Sequence, residues 1–243
     1  MDLDGLTWRD VTVDDATVGL VPTGSTEQHG PHAPLGTDRR IAEEVARRGA
    51  ERSDRHVLVS PSIPVGISEE HRHFAGTLWV RPDAFRAYVG DVARSIASHG
   101  IGAVVFVNGH GGNVAALDEV TARLTRDDVC RSASFTWFRA LTDPPAPMGH
   151  AGPLETAALL AIDPDLVRAD RLEAAVSEGS GRWGRWVGGT NLAVDVVEFS
   201  QNGAVGDPTE ATAALGESLI EEAADALADV IDAVGRDQSD SSS

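Results

Sequence analysis

Lysine is absent from this chain: all 20 basic residues are arginine. That removes Schiff-base chemistry and the lysine of a Walker-type phosphate loop. Basic charge is scarce altogether, 20 residues against 38 acidic ones, for a net charge of −18. No basic stripe exists to neutralise phosphates and release counterions, so nucleic acid is not an expected partner. Cysteine is reduced to Cys130, which leaves no internal disulfide and argues against thiolate ligation of a metal. No apolar run approaches the ~18 residues of a membrane span, so no membrane partner is expected. The N-terminus, Met1-Asp2-Leu3-Asp4, lacks the basic and apolar regions of a signal peptide, and the expected location is cytoplasmic.

What the chain has in excess is carboxylate. An acidic, lysine-free surface suits a halophilic protein, because concentrated salt screens repulsion to about 3 Å at 1 M. A genome rich in G and C also favours arginine over lysine. With 243 residues the chain can bury a full core as one domain. The expected domain is 1–235, followed by a polar, disordered tail at 236–243.

Strand and helix patterns alternate along the sequence. Apolar runs predict strands over residues 17–23, 57–65, 103–107, 131–138 and 192–198. Periodic stretches predict helices over 38–53, 82–98, 114–124, 153–162 and 209–234. The run Ala103-Val104-Val105-Phe106-Val107 has the continuous apolarity of a parallel strand buried on both faces. The fold class is α/β, a single-domain three-layer sandwich with a mainly parallel sheet. Residues 178–190 form a Gly-rich loop whose Trp183 and Trp186 suit packing over a site or against another subunit.

Ligands of such sheets bind beyond the carboxyl ends of the strands. Glu27 and His29 follow the first strand there, two residues apart and on one face of an extended segment, and Asp38 opens the next helix. Oxygen and nitrogen donors without thiolate suit Zn²⁺, Mn²⁺ or Fe²⁺. At the same edge, Asn108-Gly109-His110-Gly111-Gly112-Asn113 follows the most apolar strand. It reads either as a source of the ligand His110 or as a phosphate or nucleotide cradle at a helix start. His150, on a loop, suits proton transfer; Glu155, in the first turn of the following helix, suits either a ligand or a dipole-favoured carboxylate. Ser68, His71 and His73 lie on a further loop at this edge and are candidates for contact with substrate or a neighbouring subunit. His32 is close enough to orient the first cluster.

Together these segments resemble the creatininase (creatinine amidohydrolase) family. The resemblance rests on Glu27, His29, Gly30 and Asp38; on Asn108 to Asn113; on His150-Ala151-Gly152 with Glu155-Thr156; and on Phe74-Ala75-Gly76-Thr77 and Gly206-Asp207-Pro208-Thr209. It implies a creatininase-like single-domain fold, homo-oligomers such as hexamers, and two divalent metal ions per chain. Glu27 and His110 would hold one metal and His29 the other, with Asp38 between them. It implies a hydrolase acting on C–N bonds other than ordinary peptide bonds, attacking an unactivated amide through a metal-bridging hydroxide. The substrate would be a small-molecule amide: a cyclic amide, a formamide or a small peptide. Catalysis would involve His150 and Glu155, and substrate would meet Ser68, His71, His73, Asn108, Gly111 and Gly112.

The chain departs from the creatinine-cleaving enzymes at Gly112, where they carry a glutamate ligand; Glu155 is the candidate to supply that oxygen. It also has Ala146-Pro147-Met148 where those enzymes carry an active-site tryptophan. The Gly-Gly loop is closer to two other branches, the mycofactocin-system peptidases and the archaeal formamidopyrimidine-nucleotide deformylases. The second would need cations for a phosphate, and Arg39, Arg72 and Arg81 are the candidates.

Overall fold

The apolar runs and amphipathic stretches settle into three layers in the computed structural model, which describes residues 1–14 and 16–239. Strand β1 (Val18–Thr23) lies buried in the middle of a parallel sheet, between β2 (Val57–Val59) and β3 (Ala103–Asn108), and β4 (Arg131–Thr136) follows β3. Helices α1 (Thr37–Arg52), α4 (Pro153–Ile162) and α6 (Ala213–Ser239) cover one face. Helices α2 (Pro82–Ala97) and α3 (Val114–Arg126) cover the other. The short α5 (Leu172–Ser177) and a hairpin of β5 (Trp186–Val187) and β6 (Thr190–Asn191) stand apart from the main sheet.

The chain leaves β1 through α1 towards β2, then returns through α2 to β3 on β1's other side. The carboxyl ends of β1 and β3 therefore flank a point where the strand order reverses, the crevice in which open α/β sheets bind ligands. The last ladder pair is Thr23 with Asn108, so the loops carrying Glu27 and His110 leave the sheet side by side. Glycine lets the first turn of α1 settle over these ends. A Cβ at Gly24 would lie 2.5 Å from the Arg39 nitrogen, and one at Gly109 2.1 Å from the Asp38 carbonyl oxygen. Either would push Asp38 out of the crevice.

Several expected boundaries move. Strand β2 ends at Val59 instead of running to residue 65, because Pro61 and Pro64 lack the N–H that a ladder needs; one isolated bridge, Thr23 to Ile63, persists beyond it. That early end also accommodates Pro22 inside a central strand, since its side of β1 faces positions where β2 has stopped. The strand expected over 192–198 is not formed: Val196–Glu198 is a 3₁₀ turn held by a capping box from Asp195. The closing helix begins at Ala213, after a 3₁₀ turn at Pro208–Glu210, and continues to Ser239. Residues 240–243 of the expected tail lie outside the described residues.

Helices α4 and α6 touch through Gly216, where an added Cβ would sit 1.8 Å from the Ala157 carbonyl oxygen. Gly216→Ala is expected to destabilise the fold by about 1–3 kcal/mol through overpacking. Gly90→Ala, in α2 with no atom closer than 3.7 Å to the new Cβ, is expected to be neutral or stabilising. Urea midpoints of the two variants check this contrast.

Candidate metal centre

Four buried carboxylate and imidazole groups meet above the β1–β3 crevice: Glu27, His29, Asp38 and His110. Asp38, in the first turn of α1, turns one oxygen to each histidine. His29 Nε2 lies 3.0 Å from Oδ1, and His110 Nδ1 lies 3.2 Å from Oδ2. His110 Nδ1 is also 3.2 Å from Glu27 Oε1. Yet both oxygens of Glu27, and Oδ2 of Asp38, are buried without a hydrogen-bond partner. Such orphaned carboxylate oxygens are costly unless a cation completes them.

The imidazoles are oriented for that purpose. His29 Nδ1 lies 3.1 Å from the Glu27 carbonyl oxygen, and His110 Nε2 lies 2.7 Å from that of Ile67. A carbonyl only accepts, so each ring carries a proton on its outer nitrogen and turns the other nitrogen inward, towards the carboxylates. Metal-binding histidines are commonly fixed by such an outer partner. The surrounding carboxylates favour charge on both imidazoles. Burial opposes it, but Asp38 and Glu155 raise the His29 pKa well above the ordinary value, and Glu27 and Asp38 do the same to His110. Burial lifts the Glu27 carboxyl to about 7. It also works against the charge of Asp38, but His29 and His110 hold that carboxyl well below the usual range.

A second group closes over the first. His150 enters on a loop shaped by Gly149 at φ 62° and Ala151 at φ 51°, and exchanges two backbone hydrogen bonds with Val205. Its Nε2 donates to the Gln28 carbonyl oxygen at 2.6 Å, and Nδ1 faces Glu27 Oε1 at 3.7 Å. Burial and the neighbouring His29 lower the His150 pKa to about 4, so the ring is neutral at pH 7. Glu155 accepts from the Ala151 N–H through Oε2, and its other oxygen lies 3.7 Å from His29 Nε2. His29, His150 and Glu155 thus form one further trio within metal-binding reach, and Glu27, His71 and His150 another.

Beside these groups lies a cavity of about 330 Å³. Its polar floor includes Glu27, Asp38, His110, His150 and Glu155, and Phe138, Met148 and Trp183 give it apolar walls. Trp183 packs on the rings of His71 and His150, with centroids 5.9 and 6.1 Å away, and is backed by Phe199.

Of the expected contact residues, Gly111, Gly112 and His71 line the cavity. Ser68 is turned away, bonded to the Ser25 hydroxyl at 2.8 Å. Asn108 braces its own loop through the backbone of His110 and the hydroxyl of Thr136. His73 is exposed and pairs with Asp195, which also binds Arg72. His32 bonds Thr156 and sits behind the cluster. In the Asn108–Asn113 loop, Gly109 and Gly112 permit close packing, a Cβ at Gly112 lying 2.2 Å from the Ile67 oxygen, whereas one at Gly111 would meet nothing within 4 Å. Asn113 does not cap α3 but bonds Gly24 and Ile67 instead. Trp186 is exposed and bonds the Trp183 carbonyl, so of the two loop tryptophans only Trp183 reaches the cavity. The engagement of His71 and Gln28 depends on contacts that no local motif announces.

The family model described as creatininase, creatinine amidohydrolase, matches residues 4–231. The mycofactocin precursor peptide peptidase of Mycolicibacterium smegmatis is 41% identical over 220 residues, covering 87% of this chain and 83% of its own. A solved mutant creatininase complexed with creatine superposes with a TM-score of 0.79 at 26% identity, covering 95% of this chain and 96% of its own. Another creatininase structure, described as Zn–Zn type, has a TM-score of 0.78 at 25% identity, with the same coverage. The family model's match, residues 4–231, spans the strands and the loops that carry the cluster.

Proposed function

This chain belongs to the creatininase family of amidohydrolases, and on that premise we propose that it hydrolyses a peptide-borne amide with two divalent metal ions, zinc, manganese or iron. The observation that carries the reading is the set of orphaned, buried oxygens on Glu27 and Asp38, facing an inward-turned histidine nitrogen. Glu27, His110 and one oxygen of Asp38 would hold one ion. His29, the other oxygen of Asp38 and Glu155 would hold the second, Glu155 taking the place that Gly112 leaves without a carboxylate. Bound there, the ions would supply an acidified water, its pKa lowered from ~15.7 towards ~7, and polarise the amide carbonyl.

The remaining chemistry falls to side chains. His150 is locked by the Gln28 carbonyl, so its proton sits on Nε2 and its Nδ1 lone pair faces the reacting groups. Nδ1 takes a proton from the attacking water and returns it to the departing nitrogen as the C–N bond breaks. Phe138, Met148 and Trp183 exclude water and favour an apolar group beside the amide.

The cavity wall bears on the substrate too. No arginine is among its lining residues. Arg72 is committed to Asp195, Arg39 pairs with Glu43 along a separate groove, and Arg81 is exposed. A substrate phosphate would therefore lack a cationic partner, which weighs against the formamidopyrimidine nucleotide and for a peptide. The test is a panel of small peptides, creatinine and a formamidopyrimidine nucleotide, incubated with metal-reconstituted protein and followed by mass spectrometry. Release of a new amine from a peptide is expected; cleavage of the formamide alone would overturn the peptide reading.

A further inference from the structure

One histidine in this centre is oriented opposite to the rest. His29, His110 and His150 each give their outer N–H to a backbone carbonyl and turn the other ring nitrogen inward. His71 has no such carbonyl. Its Nδ1 lies 2.7 Å from Nε2 of Gln28. The orientation of that amide is fixed independently: Gln28 Oε1 accepts from the Gly30 N–H at 2.8 Å, and Nε2 also donates to the Gly203 carbonyl at 3.1 Å. Gly203, at φ 85°, leaves room for the amide, since a Cβ there would lie 2.1 Å from it.

An amide nitrogen only donates, so His71 Nδ1 must accept. An imidazolium has no acceptor, and the ring is therefore neutral with its proton on Nε2. That nitrogen points inward: it lies 3.7 Å from Glu27 Oε1, and the residue is 1% exposed and lines the cavity. The ring packs 4.5 Å from that of His150, whose Nδ1 is equally 3.7 Å from Glu27 Oε1. The pair thus offers the cavity one N–H donor and one lone-pair acceptor.

We propose that His71 is a catalytic hydrogen-bond donor, its Nε2–H held towards the carbonyl oxygen of the scissile amide. The assignment rests on the hydrolase reading above. As water adds to the carbonyl carbon, the C=O π pair moves onto oxygen, and the His71 hydrogen bond strengthens with that charge. The proton stays on Nε2 throughout, because a neutral imidazole is too weak an acid to give it up; a neutral histidine can act as an electrophile in this way. The proton that reaches the departing nitrogen travels through His150, so the two rings divide the work.

The test has two arms. Ring ¹⁵N spectra of zinc-reconstituted protein are expected to show His71 protonated at Nε2, with Nδ1 as the acceptor. A proton at Nδ1 would overturn the proposal while leaving the hydrolase intact. In kinetics on the cleaved peptide, His71→Leu is expected to lower kcat by roughly 10²–10³-fold with KM and metal content held. His71→Gln, which keeps an N–H donor, is expected to recover about a tenth or more of the wild-type rate. Equal losses in both variants would mean a structural role, and loss of metal from either would make His71 a ligand. Wild-type protein that cleaves no amide would sink the hydrolase reading and the donor role together, whatever the spectra show.

Discussion

Asp38→Ala protein is expected to fold, to bind no divalent metal, and to show no detectable hydrolysis. Asp38 is the group through which both halves of the centre communicate, with one oxygen towards His29 and the other towards His110. Removing it leaves Glu27 and His110 on one side, and His29 and Glu155 on the other. Three convergent protein ligands on either side would then require His150, which the Gln28 carbonyl orients for proton transfer instead. The fold should survive because the crevice is made by Gly24, Gly109 and the strand ends, none of which needs the carboxylate. Metal per chain, measured by mass spectrometry on wild type and variant together, checks this. Two equivalents in wild type and none in the variant is the expected result. A variant that keeps both ions would remove Asp38 from the ligand set.

His150→Ala is expected to behave in the opposite way, keeping its metal and losing turnover. Proton transfer by a positioned side chain contributes about 10²–10⁴-fold, and kcat should fall by that amount with KM little changed. The geometry makes the variant informative. His150 holds its ring through the Gln28 carbonyl and the Val205 backbone, so truncation removes Nδ1 without disturbing Glu27 or Asp38. The alternative is that His150 joins His29 and Glu155 as a ligand, a trio whose donor atoms are close enough to hold an ion. Loss of one metal equivalent in His150→Ala would establish that alternative and leave the proton carrier to be found elsewhere.

Most of what positions the centre was legible because it is local. The apolar runs of β1 and β3 place their following loops at one sheet edge, and the spacing of Glu27, His29 and Asp38 survives folding almost as written. The glycine loop was ambiguous between ligand and anion cradle in sequence; the structure places His110 against Glu27 and Asp38, and packs Gly109 and Gly112 against Asp38 and Ile67. Ser68, His71 and His73 looked alike in sequence and separate completely in space. Asp195, distant in the chain, draws His73 outward, while Gln28 holds His71 inward. The expected strand at 192–198 failed for a related reason: Asp195 and Glu198 cap each other in a tight turn, so the apolar residues there never extend.

The segment around Gly203 to Val205 also bears on the order in which the centre is built during synthesis. It contacts Gln28 across 175 residues, through the Gly203 carbonyl, and pairs with His150 through Val205. A nascent chain that has emerged as far as α4 already carries Glu27, His29, Asp38, His110 and His150. It lacks Gly203, whose carbonyl seats the Gln28 amide and through it the His71 ring, and Val205, which pairs with the His150 backbone. Domains emerge from the ribosome amino-terminus first, and contacts of such separation form late. The His71 ring would then be set only after nearly all of the chain is made, whereas His29 and His110 are held by the Glu27 and Ile67 carbonyls. The hydrogen-bond donor of the centre would thus be among the last of its groups to be oriented, after the carboxylates and the imidazoles of His29 and His110.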